Sequence, residues 1–252
     1  MQPAAFNRPA APFWDRIAPK YARKPVKDPL AYAEKLDAVE ALLEPTDTVL
    51  ELGCGTGSTA ISLARSVAEY TATDVSPAMI GIAEEKGRAA GANNLRFAVG
   101  DAAGAAANVP FDVVLAFSLL HLVEDVAAVL ASVSSQLKPV GLFVSKTVCM
   151  GEANLARRGL VRTLEAFGLA PHVTSLCQVQ LEALIQDAGF EIETIRHFGS
   201  NRFNPFIVAR RRGWRRTSVS PSPHFTSPSG SIGPGMEKSC LQSRDRAGPL
   251  LP

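Results

Sequence analysis

The run Val49-Leu50-Glu51-Leu52-Gly53-Cys54-Gly55-Thr56-Gly57 constrains this chain more tightly than any other stretch of it. Strand-like residues lead into three glycines spaced two apart, and Ser58 to Ala68 then reads as a helix. A glycine turn between strand and helix lets the backbone close on a ligand, because no Cβ stands in the way. The helix start beyond it offers free N–H groups and a partial positive charge. Glu51 stands two residues before the first glycine. A carboxylate there would repel a pyrophosphate but suits a ligand carrying an ammonium group. A dinucleotide fingerprint would also want glycine where this chain has Ser58. The residues therefore point to a nucleoside with a cationic amino-acid tail.

From Thr48 onward strand and helix patterns alternate. Strands are expected at Thr48–Gly53, Tyr70–Val75, Leu95–Gly100, Phe111–Ser118 and Gly141–Val148. Helices are expected up to Ala68, over Pro77–Ala90 and over Glu124–Leu137, with a short weak one after Gly100. Five strands with helical crossovers imply a parallel α/β sheet with right-handed connections. Ahead of them, Leu30–Leu43 places Leu36, Val39, Leu42 and Leu43 at helical spacing. Between Cys149 and Gln178 the alternation breaks down, and Glu152–Phe167 reads as an amphipathic helix carrying Arg157, Arg158 and Arg162. A helix over Val179–Ala188 stops at Gly189, and strands Glu191–Phe198 and Phe203–Arg210 flank a turn-like Gly199-Ser200-Asn201-Arg202.

Both ends differ in character. Met1 to Pro12 is rich in Ala and Pro and is expected to be mobile. Nineteen of the 40 residues after Arg212 are Pro, Ser or Gly, which leaves too little apolar surface to offset the ordering entropy. Residues 213–252 are accordingly expected to form a disordered tail, with an anionic surface as the rival use for Arg210 to Arg216. The formal charge of +2 hides an asymmetry: residues 1–209 hold 18 Lys+Arg against 22 Asp+Glu, and residues 210–252 hold 8 against 2. An acidic body argues against a nucleic-acid substrate, whose phosphates demand a basic face. The four cysteines form no C-x-x-C pair and no zinc-like spacing with the four histidines, so reduced thiols and no metal are expected. No apolar run approaches the roughly 18 residues of a membrane span, and no secretory leader is evident. A cytoplasmic location is the expectation, and the oligomeric state is left open.

Glu-Leu-Gly-Cys-Gly-Thr-Gly resembles the first motif of class I S-adenosylmethionine (SAM)-dependent methyltransferases, and later segments match that family in the same order from about Phe13 to Arg212. The resemblance implies a Rossmann-like seven-stranded sheet, mostly parallel with a C-terminal antiparallel hairpin and helices on both faces. It divides the chain into a cap segment over residues 1–44 and a methyltransferase domain over residues 45–212, with 149–178 as a lid or substrate insertion. The N-terminal Phe13-Trp14-Asp15-Arg16-Ile17-Ala18-Pro19-Lys20-Tyr21 is similar to the cap of small-molecule methyltransferases, including the ubiquinone/menaquinone C-methyltransferase group. No matching substrate signature follows in 149–178, so quinone specificity is not carried over.

That likeness implies a role for each cofactor-binding position. Glu51, Gly53, Cys54, Gly55 and Gly57 would cradle the amino-acid end, with Tyr21 approaching it or simply packing. Asp74 stands 21 residues after Gly53 and would accept from the ribose diol, or else cap the next helix. In Thr73-Asp74-Val75-Ser76-Pro77-Ala78-Met79 the resemblance sets Val75 and Met79 near the adenine, although Met79 alone would read as core. Asp101 would accept from the adenine amine, with Ala102 facing the ring. Phe117 and Ser118 end the fourth strand and should line the crevice. His121 is the histidine nearest that edge, a candidate general base or a packing residue. The expected activity is methyl transfer from SAM to a small-molecule acceptor by in-line displacement. A macromolecular (RNA or protein) methyltransferase and a SAM-binding regulator without turnover are the rival readings.

Overall fold

The computed structural model describes residues 11–104, 110–152, 155–166, 170–199 and 202–213. The expected mobile N-terminus, the weak helix after Gly100 and the tail fall wholly or mostly outside the described residues. Helices α1 (Ala11–Ala22) and α2 (Pro29–Glu40) precede strand β1 (Thr48–Leu52). Then follow α3 (Ser58–Leu63), β2 (Glu69–Asp74), α4 (Pro77–Ala89), β3 (Leu95–Val99) and β4 (Phe111–Phe117). The chain continues through α5 (Val126–Gln136), β5 (Leu137–Lys146), α6 (Leu155–Ala166), α7 (Gln178–Asp187), β6 (Phe190–Arg196) and β7 (Phe206–Arg211).

The seven strands form one sheet in the order β3-β2-β1-β4-β5-β7-β6. The first five are mutually parallel, while β7 runs antiparallel to both β5 and β6. Successive side chains of a strand point to opposite faces, so each strand serves two cores. Val49, Val113, Leu115 and Val144 pack with Val39 of α2, Leu63 of α3 and Ile80 of α4. Leu50, Leu52, Val114, Ala116 and Phe143 pack with Leu130 of α5 and Leu181 of α7 on the other face. Helices therefore cover both faces, as the resemblance implied.

Three boundaries depart from the expectation. The α-helix after the glycines ends at Leu63 and continues only as a 3₁₀ turn over Ala64–Ser66. Strand β5 starts at Leu137, directly after α5, rather than at Gly141. Leu137 pairs with Phe111, the register then skips to Val113↔Leu142, and Val140 absorbs the irregularity at φ 61°. The last strand begins at Phe206, because Pro205 has no N–H to donate to a ladder.

Candidate active site

The sheet order turns back between β1 and β4, and in open α/β sheets the crevice at such a switch point receives ligands. The turn after β1 holds Gly53, Gly55 and Gly57 at φ 67°, 54° and 74°. Cys54 N–H donates to the Thr73 carbonyl (2.9 Å), and Gly55 N–H donates to Asp74 Oδ2 (2.9 Å). Asp74 Oδ1 accepts Ser76 N–H at 2.9 Å. One carboxylate at the end of β2 thus ties the glycine turn to the start of α4. Burial raises the Asp74 pKa, and these N–H bonds oppose the rise.

Helix α1 closes one side. Ser76 caps α4 by accepting Met79 N–H (3.1 Å), and its hydroxyl donates to Asp15 Oδ1 (2.5 Å). The same Asp15 oxygen accepts Ala78 N–H (3.0 Å), which satisfies an amide the helix start leaves free. Trp14 and Tyr21 of α1 line the resulting cavity, their rings edge-to-face at 6.4 Å. The cavity opens to solvent, and the empty space within it, open solvent included, comes to about 690 Å³. Gly53, Gly55, Asp74, Val75, Met79, Gly100, Ala102, Phe117, Ser118, Leu119 and Leu122 complete its lining. Between the lining residues Gly100 and Ala102 stands Asp101, whose Oδ1 accepts Ala103 N–H (3.0 Å). Its other oxygen, Oδ2, is buried without a hydrogen-bond partner among the described residues. Asp101 itself is not among the lining residues, unlike its neighbours Gly100 and Ala102. Buried acceptors are normally satisfied, so an orphan one marks where a donor belongs.

Glu51 is placed differently from the expectation. It shares the face of Val49, is 3% exposed and lies outside the cavity lining, with Oε2 accepting the Tyr70 hydroxyl (2.9 Å). Desolvation raises its pKa, and the positive charge of nearby Lys35 opposes the rise. Lys35 reaches in from α2 and is 5% exposed; burial pulls its pKa down while Glu51 draws it up. Cys54 is buried beside the turn, its thiol pKa pushed up by burial. Gly57 also leaves the lining and packs its Cα side against Phe97 and Ala83.

His121 sits in the 3₁₀ turn Leu120–Leu122, where its carbonyl accepts Thr174 N–H at 2.8 Å. It is buried, outside the lining, and its Nδ1 has no hydrogen-bond partner among the described residues. Burial lowers its pKa to about 4. A conjugate acid so strong makes a poor general base near neutral pH, which weighs against the catalytic role expected from its position. A depressed folded-state pKa contributes stability that is present above the unfolded value near 6.5 and lost as pH falls toward 4. About 3 kcal/mol should disappear across that window. Urea unfolding at pH 7 and pH 4.5 should show His121→Gln losing less than the parent. Equal losses in both proteins would mean the imidazole is not buried neutral.

Of the expected residues, the cavity gathers Tyr21, Gly53, Gly55, Asp74, Val75, Met79, Ala102, Phe117 and Ser118. The Asp15 latch and the burial of Lys35 had no signal in the sequence. Trp14, Leu119 and Leu122 also line the cavity, and nothing in their sequence spacing marks them as lining residues. Among the described residues no group of three or more His, Cys, Asp or Glu is placed to hold a metal, and no helix is long and apolar enough to cross a membrane.

Comparison with known proteins agrees with this geometry. The chain is 29% identical over 193 residues to a ubiquinone biosynthesis O-methyltransferase of Xanthomonas axonopodis pv. citri, covering 73% of this chain and 77% of that one. A ubiquinone biosynthesis O-methyltransferase of Xylella fastidiosa is 28% identical over 216 residues, covering 82% and 83%. Among solved structures, the [4+2]-cyclase SpnF superposes with a TM-score of 0.69 at 18% identity, covering 84% of this chain and 98% of that one. Magnesium protoporphyrin IX methyltransferase of Synechocystis PCC 6803, solved with bound SAH, has a TM-score of 0.59 at 21% identity, covering 82% and 96%. The profile of a family described as a methyltransferase domain matches residues 21–195. With that match over more than half its length, the chain belongs to the methyltransferase domain family.

Proposed function

We propose that the cavity binds SAM and directs its methyl group to a small-molecule acceptor. The observation that carries this reading is the buried Oδ2 of Asp101, unpartnered among the described residues and belonging to a residue that stands between two lining residues, an acceptor suited to the adenine amine. Asp74 adds a carboxylate with lone pairs left for a ribose diol, and Gly53 and Gly55 leave room for close backbone approach. When bound, SAM supplies an electrophilic methyl group on a sulfonium. The chain's task is then to align the two reactants and exclude water. Trp14 and Tyr21 form the wall toward α1, while Leu119 and Leu122 give the acceptor end an apolar side. An acceptor with one apolar face and one nucleophilic atom suits such a wall. The relatives named for O-methylation support a hydroxyl as that atom. We assign His121 to holding the 119–122 turn, and residues 1–44 and 149–178 to shaping the acceptor pocket.

Calorimetry should give micromolar affinity for SAM and S-adenosylhomocysteine and none for NAD. Incubation with SAM and a pooled metabolite extract should then yield S-adenosylhomocysteine and a metabolite heavier by one methyl group. Binding of NAD without SAM overturns the cofactor reading. Tight SAM binding with no turnover on any pool overturns the enzymatic one.

A further inference from the structure

We propose that Lys86 is a positioning residue for the cofactor: its ammonium holds the glycine turn in a ligand-ready shape before anything binds. This rests on reading the cavity as a SAM site. Lys86 comes from α4, where Glu84, Glu85 and Arg88 stay exposed. Its side chain instead crosses to the turn after β1. There Nζ donates to the Thr56 carbonyl (3.0 Å), to Thr56 Oγ1 (3.3 Å) and to Ser58 Oγ (2.9 Å). An ammonium has three donors, and here every acceptor within their reach belongs to Thr56 or Ser58.

A lysine on a helix surface normally keeps its charged head in water. Burial lowers the Lys86 pKa, and among the described residues no carboxylate comes within ion-pair distance to draw the ammonium inward. The oxygens of the turn are what hold it. Ala83, one helical turn before Lys86, is buried, and a Cβ added at Gly57 would lie 2.9 Å from its own. The glycine turn and α4 are therefore already in closest contact where the lysine reaches across.

The turn needs such a tie. Gly53, Gly55 and Gly57 all sit at positive φ, and glycine loses more freedom on ordering than any other residue. Strand β2 restrains the first half, where Cys54 N–H donates to the Thr73 carbonyl and Gly55 N–H to Asp74. Past Gly55, the Gly57 N–H turns back to the Cys54 carbonyl (3.0 Å), a bond internal to the turn. Gly57 is also the N-cap of α3, and no side-chain hydrogen bond caps that helix. Lys86 anchors this second half from α4, through the residue between Gly55 and Gly57. Gly53 and Gly55 line the cavity and Thr56 does not, so the lysine acts through the turn. A turn that samples other shapes is competent only part of the time, and apparent affinity falls by that fraction.

The test pairs calorimetry of S-adenosylhomocysteine binding with hydrogen exchange at the Gly55 and Gly57 amides, both hydrogen-bonded in the structure. Lys86→Met should weaken S-adenosylhomocysteine about 5- to 20-fold. Exchange at the two amides should quicken in the free variant and return to the parent level at saturation. Lys86→Arg, which keeps charged donors, should restore most of the affinity and the protection. If Lys86→Met does not fold, Thr56→Val combined with Ser58→Ala decides the matter. That pair removes both hydroxyl acceptors and leaves the ammonium on the Thr56 carbonyl, so both readouts should move the same way by less. A merely structural lysine would lower unfolding free energy and leave affinity within twofold, which overturns the proposal. Weaker binding with unchanged exchange in the free protein overturns it too, because the turn would then be ordered without Lys86. If the parent binds no S-adenosylhomocysteine, the cofactor reading fails, and exchange in the free proteins still decides whether Lys86 orders the turn.

Discussion

Replacing Asp74 with alanine should weaken SAM binding about 100-fold, on the order of 3 kcal/mol. The carboxylate is positioned to accept from the ribose diol, and charge-assisted hydrogen bonds are the strong ones. It also accepts the N–H groups of Gly55 and Ser76, both at 2.9 Å. Its loss frees the glycine turn to sample other conformations, so the bound geometry must be recovered at an entropic cost. From the sequence, a strand-end acid looks dispensable for folding. The two buried backbone donors say otherwise, and unfolding free energy should fall by about 1–3 kcal/mol in the same variant. Asp74→Asn should not rescue it, because the amide turns N–H toward one of those donors. Calorimetry with SAM and urea unfolding of the same preparations give the two numbers. An affinity within twofold of the parent, in a folded Asp74→Ala protein, would remove Asp74 from the cofactor site.

What could be read in advance divides along physical lines. The ends of β1, β2 and β3 were legible because glycine or acid punctuation stops each strand where the crevice begins. Asp74 and Phe117 followed from position alone, since strand ends in such sheets face the ligand. The junction of α5 with β5 was not legible. Lys138-Pro139 reads as a break, but Lys138 Nζ is held by Asp112 at 2.7–2.8 Å, which keeps that segment beside β4. Lys35 escaped notice for a different reason. The apolar spacing of Leu36, Val39, Leu42 and Leu43 suggests a buried stripe that leaves a lysine in water. The helix instead buries Ala31, Lys35 and Val39, one residue per turn, with the lysine as the middle member. Asp15 shows the limit of local patterns most plainly: its partners Ser76 and Ala78 lie 61 and 63 residues away.

Gly57→Ala should cost about 2–5 kcal/mol of stability. Two costs coincide there. The residue sits at φ 74°, where an L side chain crowds the following carbonyl. An added Cβ would also lie 2.8 Å from Phe97 Cε1 and Cζ and 2.9 Å from Ala83 Cβ. The half-buried ring, packed between the glycine turn and α4, would have to shift to admit the methyl group. Two other glycines separate the costs. Gly91 has φ 68° with nothing within 4 Å of its would-be Cβ, so Gly91→Ala reports backbone strain alone. Gly87 lies inside α4 without a positive φ, and its Cβ would meet Phe97 Cε2 at 2.9 Å. Gly87→Ala therefore reports overlap alone, offset by about 1 kcal/mol of better helix propensity. The loss at Gly57 should exceed that at either control. Phe97→Leu, made together with Gly57→Ala, should recover the overlap portion and leave the strain. A Gly57→Ala protein as stable as the parent would mean the turn can abandon its left-handed backbone, and a turn that loose could not hold Gly55 against Asp74.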